Sequence, residues 1–125
     1  MKKGKKISGG RYHQSRKKKH YEATGQARVV KIGDVVKKRS LRTRGGHRKT
    51  VLLTSNLANV INPKTKKAKV VAIKNVLETP SNKFLARQNI LQKSSVIETE
   101  LGKARITNRP SQEGCVQAVL IVDEK

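Results

Sequence analysis

From Gln26 onward the apolar residues fall in short, mostly β-branched runs separated by Gly, Pro, Asn and Asp, a pattern of many short strands rather than long helices. Residues 29–32 precede the turn pair Gly33-Asp34, and residues 35–44 follow as far as Gly45-Gly46. Residues 49–61 then read as one long strand, so two hairpins are expected. Asn62-Pro63-Lys64-Thr65 is a turn in which proline restricts φ, and the Val- and Ile-rich stretch 68–77 completes a third hairpin. Pro80-Ser81-Asn82 interrupts the strand pattern, and Asn82 is placed to cap a single helical turn through Phe84, Leu85 and Arg87. Residues 96–100 and 104–107 flank a Leu101-Gly102 turn, the loop Arg109-Pro110-Ser111-Gln112-Glu113-Gly114 follows, and 115–122 read as the last strand. The expected fold is all-β: a small β-barrel of about six strands, since closure removes sheet edges that would otherwise be open to pairing.

The first residues follow another rule. Up to Thr24 the only sizeable apolar groups are Met1, Ile7, Tyr12 and Tyr21. These cannot offset a chain entropy of about 1–2 kcal/mol per ordered residue. Residues 1–24 are therefore expected to form an extended basic arm and residues 25–125 the barrel domain, which suits one domain in a chain of 125 residues. The charge is lopsided: Lys and Arg number 30 against 8 Asp and Glu, for a formal net charge of +22. Up to Lys49 there are 18 cations against Glu22 and Asp34; the rest of the chain carries 12 against 6. Such self-repulsion calls for a polyanionic partner. The longest apolar run, residues 118–122, falls far short of the roughly 18 residues of a membrane span, and no apolar stretch follows the basic start as in a secretory signal. A cytoplasmic protein with no membrane partner is expected.

Signals of catalysis are absent. There is no Gly-Lys-Ser/Thr phosphate loop, no dinucleotide glycine fingerprint, no His-Glu-x-x-His and no Gly-x-Ser-x-Gly. Glu98 and Glu100 share a face if their segment is a strand, but in so basic a chain they are better read as balancing Lys103 or Arg105 across a hairpin. The single Cys115 reads as a core hydrophobe, and with the scattered His13, His20 and His47 it makes no zinc set; no metal, cofactor or small-molecule substrate is expected.

Phosphate chemistry is better supplied. Arg42-Thr43-Arg44-Gly45-Gly46-His47-Arg48-Lys49 sets four cations around two residues without Cβ, so backbone amides can approach an anion while guanidinium forks bind its oxygens. Ser8-Gly9-Gly10-Arg11 is too short to be diagnostic, since on its own it also suits a flexible linker, and it gains weight only from its basic surroundings. Tyr12, Tyr21 and Phe84 are the only aromatic residues, too few for the stacking platforms of single-strand readers. The expected partner is a folded helical RNA, gripped at phosphates and sugars; about ten neutralised phosphates give a log-log salt slope of roughly −7 to −9. The candidate RNA-binding residues are Lys3, Lys5, Lys6, Arg11, Arg16, Lys17, Lys18, Lys19, Arg42, Arg44, Arg48 and Lys49, with Gly9, Gly10, Gly45 and Gly46 permitting close approach. Lys64, Lys66, Lys67, Arg105 and Arg109 form a second group.

Several of these segments carry a family resemblance. Ser8-Gly9-Gly10-Arg11, the stretch Arg16-Lys17-Lys18-Lys19-His20-Tyr21-Glu22, and above all Leu41-Arg42-Thr43-Arg44-Gly45-Gly46 resemble the archaeal form of small-subunit ribosomal protein eight of the archaeal and eukaryotic lineage. Asn59-Val60, Arg87-Gln88-Asn89-Ile90, Ile97-Glu98-Thr99-Glu100 and the run from Gly102 to Pro110 extend the likeness nearly end to end. The chain departs from the pattern at Ser8, where Thr is usual, at His47, where Asn is usual, and in a shorter stretch at 26–30. The resemblance implies a non-enzymatic structural constituent of the small ribosomal subunit, a β-barrel with basic extensions, whose partners are small-subunit ribosomal RNA and neighbouring ribosomal proteins. Composition alone would also suit a chromatin-type DNA-compacting protein or a transient ribosome assembly factor.

Overall fold

The computed structural model describes residues 4–12, 16–23, 25 and 27–121. Among these residues seven strands and one short α-helix follow in chain order: β1 (Lys37–Arg42), β2 (Arg48–Thr54), β3 (Leu57–Ile61), β4 (Ala68–Glu78), α1 (Lys83–Arg87), β5 (Val96–Thr99), β6 (Gly102–Ile106) and β7 (Gln117–Leu120). Strands β3-β4-β5-β6-β7 close into a barrel, antiparallel except where β7 lies parallel to β3 and seals it, Val60 opposite Ala118. Strands β1 and β2 form a separate two-stranded hairpin. The all-β barrel expectation is met, with five strands in the wall rather than about six.

Alternation builds the core. On β3, Ala58 and Val60 point inward while Leu57, Asn59 and Ile61 face out. On β4 the buried set shifts phase, from Val71 and Ile73 to Val76, because the register slips between Ile73 and Asn75; one extra residue at a bulge returns the apolar side chains to the interior. Ile97, Ala104, Ile106 and Ala118 complete the lining, and Val30, Leu52, Leu91 and Val116 plug it from outside the wall. Two buried hydroxyls, Thr79 and Ser95, satisfy each other at 3.2 Å.

Three expectations need correction. Residues 49–61 are not one strand, because the buried Ser55 hydroxyl accepts from the Leu57 amide at 3.1 Å and donates to the Leu57 carbonyl at 3.0 Å, a local turn that breaks the ladder. So β2 leaves to pair with β1, while β3 enters the barrel. Residues 29–32 make no hairpin with 35–44. Lys31 is already taken on both sides, its amide donating to the Leu53 carbonyl and its carbonyl accepting from Ser55, with a further bridge to Ile90. Cys115 is half-buried rather than a core residue. The expected helical turn is present, with Asn82 Oδ1 accepting from the Phe84 amide at 2.9 Å.

Strand directions sort the loops into two ends. The β3–β4 turn with Lys64, Lys66 and Lys67 and the β5–β6 turn at Glu100-Leu101 lie at one end. The β2–β3 junction, α1 and the 107–116 loop lie at the other, where the β1–β2 hairpin attaches.

Candidate nucleic-acid interface

The hairpin owes its shape to its turn. The Thr43 amide and hydroxyl both donate to the His47 carbonyl, at 2.8 and 3.0 Å, and close a loop that Arg44–Gly46 fills with a 3-10 turn. Gly45 and Gly46 have φ of 77° and 79°, the left-handed region that disfavours any side chain. A Cβ on Gly45 would also lie 3.3 Å from the His47 ring. A helical residue followed by a left-handed one aims successive amides into a shared concavity suited to an anion.

The register then sets charge against charge. Arg42 lies directly opposite Arg48, and Leu41 opposite Lys49. Because Thr43 donates to His47, the Arg42–Arg48 pair is of the non-hydrogen-bonded kind, in which side chains stand closest. Arg44 projects from the turn, exposed. Lys49 Nζ reaches the Gln112 side-chain oxygen at 3.0 Å, and the Leu52 amide donates to the carbonyls of Pro110 and Glu113, so the hairpin is fastened to the loop that carries Arg109. Among the described residues the one ion pair is Arg16–Glu22, far from this turn in sequence.

The structure thus brings Arg42, Arg44, Gly45, Gly46, Arg48 and Lys49 onto one hairpin end, with Arg109 at its fastening. Lys64, Lys66 and Lys67 are exposed on the barrel's opposite end, in a turn held by the Asn62 side chain accepting from the Lys64 amide at 3.0 Å. Arg105 is on the outer wall, between Val96 and Val119 in register. Three further cations were missed from the sequence: Lys37, Lys38 and Arg39 are exposed along β1 and extend the basic surface of the hairpin. The run Lys37-Lys38-Arg39 was itself the signal, hidden inside an expected strand.

At the other terminus, Lys3 lies outside the described residues. Residues 4–12 make a small hairpin of their own: the Lys6 amide donates to the Gly10 carbonyl at 2.8 Å, Lys5 bridges Arg11, and Gly9 takes a φ of 79°. The Lys6 ammonium sits 5.6 Å from the Tyr12 ring centre. Lys17, Lys18 and Lys19 are exposed, whereas Arg16 grips the Glu22 carboxylate with both terminal nitrogens. That guanidinium, and then the Lys19 amide, hold the Glu22 carboxyl below its usual range.

Comparison with known proteins adds to this geometry. The family described as "Ribosomal protein S8e" matches residues 1–121. Among curated proteins, "Small ribosomal subunit protein eS8" of Methanococcus aeolicus is 42% identical over 94% of this chain and 91% of its own length. The proteins of the same name from Methanosarcina barkeri and Sulfolobus acidocaldarius are 41% and 42% identical, again over 94% of this chain and 93% and 91% of theirs.

Proposed function

The chain belongs to the ribosomal protein S8e family, and from that premise we propose that it is a structural constituent of the small ribosomal subunit that binds folded ribosomal RNA through its phosphates. The observation that carries this reading is the hairpin end. Two arginines face each other with no acid between them, beside a turn whose two glycines take the left-handed conformation. In the free protein this is a repulsive arrangement; against a phosphate it is a clamp. A phosphate between Arg42 and Arg48 accepts charge-assisted hydrogen bonds from both guanidiniums, and a neighbouring phosphate meets Arg44 and the turn amides. The closed barrel holds the hairpin rigid through the 109–114 loop, so little ordering of the clamp is left for the moment of binding.

In this reading the arm, residues 1–24, extends along the same RNA and supplies Lys3, Lys5, Lys6, Arg11 and Lys17–Lys19, with Gly9 and Gly10 allowing close approach. Lys64, Lys66, Lys67 and Arg105, facing other directions, contact separate RNA segments or neighbouring ribosomal proteins. Phosphate contacts position the protein and read shape, not sequence.

The test is a salt titration of binding to folded small-subunit RNA. The full chain should lose affinity with a log-log slope of roughly −7 to −9, and replacement of Arg42, Arg44 and Arg48 by Ala should flatten it by about one to three units. Equal slopes for both proteins would overturn the assignment to the hairpin. Tighter binding to double-stranded DNA than to the RNA would favour a DNA-compacting role instead.

A further inference from the structure

Three segments distant in sequence meet beside the hairpin's fastening and leave a notch of about 220 Å³. The Leu91 amide donates to the Val30 carbonyl at 2.9 Å, which lays 28–30 along 90–93. Arg28 Nε donates to the Ser111 carbonyl at 3.3 Å, which draws in the loop. The floor is apolar and packed, formed by Val30, Ile90, Leu91 and Pro110, all buried. The rim carries Arg28, Lys93 and Arg109, all exposed, and no acid lines the notch. On the remaining wall the Ser81 hydroxyl donates to the Gln92 side-chain oxygen at 2.9 Å, leaving the Gln92 amide nitrogen with no partner among the described residues.

Resting on the RNA-binding reading above, we infer that this notch takes one unpaired nucleotide of the RNA that the hairpin grips. Three cations with no counter-charge call for phosphate. An apolar floor without charges, extended at the surface by the exposed Val29, calls for the face of a base, and a free amide donor at its side calls for a base-edge oxygen or nitrogen. A duplex keeps its base faces stacked inside and offers phosphates, sugars and groove edges; only a nucleotide splayed out of the helix presents a phosphate and a base face together. The Arg28 guanidinium, fixed through Nε, keeps its two terminal nitrogens for the phosphate. The volume is below the roughly 300–1,000 Å³ of pockets for larger organic ligands, which limits the occupant to a single base. The bond from Lys49 to Gln112 joins the two sites through one loop, so a duplex on the hairpin and an extruded nucleotide in the notch belong to one RNA element, a helix interrupted by a bulge.

The experiment compares two RNA stem-loops that differ only in one bulged 2-aminopurine nucleotide, with the full chain as binder and the fluorophore as reporter. The bulged RNA should bind about fivefold more tightly, as expected for removing roughly 40 Å² of apolar base and side-chain surface from water, and its fluorescence should change on binding. The variant Lys93→Gln, at an exposed side chain with no hydrogen-bond partner among the described residues, should bring the two affinities closer together while binding to the paired stem survives. The Arg42, Arg44 and Arg48 alanine variant should weaken both RNAs and keep their ratio. Equal affinity of the unaltered chain for the two stem-loops overturns the notch and leaves the hairpin reading standing. Abolition of the preference by millimolar inorganic phosphate at constant ionic strength reduces the notch to an anion site and overturns the nucleotide. Failure of both RNAs to bind overturns the inference and the reading beneath it.

Discussion

Replacing Arg48 by Thr should stabilise the free protein's hairpin and weaken its hold on RNA, two effects of opposite sign from one side chain. Arg42 and Arg48 are opposed in a non-hydrogen-bonded pair, where Cβ atoms are about 4.5–5.5 Å apart. Two unit charges at about 5.5 Å in water repel by about 0.8 kcal/mol, and splayed guanidiniums in salt reduce that to a few tenths. Removing one charge while keeping a β-branched strand residue therefore gains roughly 0.2–0.8 kcal/mol, or about 1.4- to 4-fold slower hydrogen exchange if the hairpin opens locally. The amide to follow is Thr43, whose bond to the His47 carbonyl closes the turn beside the pair. The gain should shrink in 0.5 M salt. Against RNA, the same variant loses a charge-assisted contact of about 1.5–3 kcal/mol, tenfold or more in affinity, and its salt slope falls by about 0.7–0.9. Arg48→Lys should restore the slope but not the whole affinity, because an ammonium lacks the planar fork. Faster exchange at Thr43 in Arg48→Thr, or unchanged RNA affinity, would refute the reasoning.

Other outcomes follow from the same geometry. Gly45→Ala should destabilise the hairpin by about 1 kcal/mol or more, since it forces a side chain to a φ of 77° and sets its Cβ 3.3 Å from the His47 ring; limited proteolysis at the turn reads this out. Glu22→Gln should free Arg16 and steepen the RNA salt slope by about 0.7–0.9. The Arg16–Glu22 contact is complete above the ordinary carboxylate pKa and is lost as pH falls through Glu22's depressed one, so acid should release Arg16 as the substitution does; NMR of the guanidinium checks both. Ile106→Ala, at a fully buried wall position, should cost about 2–5 kcal/mol in urea unfolding without altering the salt slope of whatever RNA binding remains.

Legibility in the sequence depended on whether a feature is made locally. The Asn82 cap, the Asn62-Pro63 turn and the Gly45-Gly46 tip all announce themselves in two to four consecutive residues and stand where expected, whereas the reversal expected at Leu101-Gly102 falls one residue earlier, at Glu100-Leu101, with Gly102 already paired opposite Thr99. What failed was decided by partners far along the chain. Nothing near Val30 says that its carbonyl will meet Leu91, nor that Lys31 will be claimed by Leu53 and Ser55 before it can pair with 35–44. The break at Ser55 turns on one hydroxyl preferring its own turn to solvent, and the β4 bulge on closing the barrel with Val76 inside. The candidate interface divides in the same way. Its hairpin end was visible as a glycine pair ringed by cations, whereas Arg28 and Lys93 gained meaning only when folding set them beside Arg109.

The most direct check on the central claim is photochemical RNA–protein cross-linking in intact, high-salt-washed small subunits carrying this chain, with cross-linked peptides sequenced. Ribonucleotide adducts should concentrate on peptides spanning 37–49 and 5–19. Particles that contain the chain, yet yield no adduct on the hairpin while its lysines acylate as freely as in the isolated protein, would contradict the account.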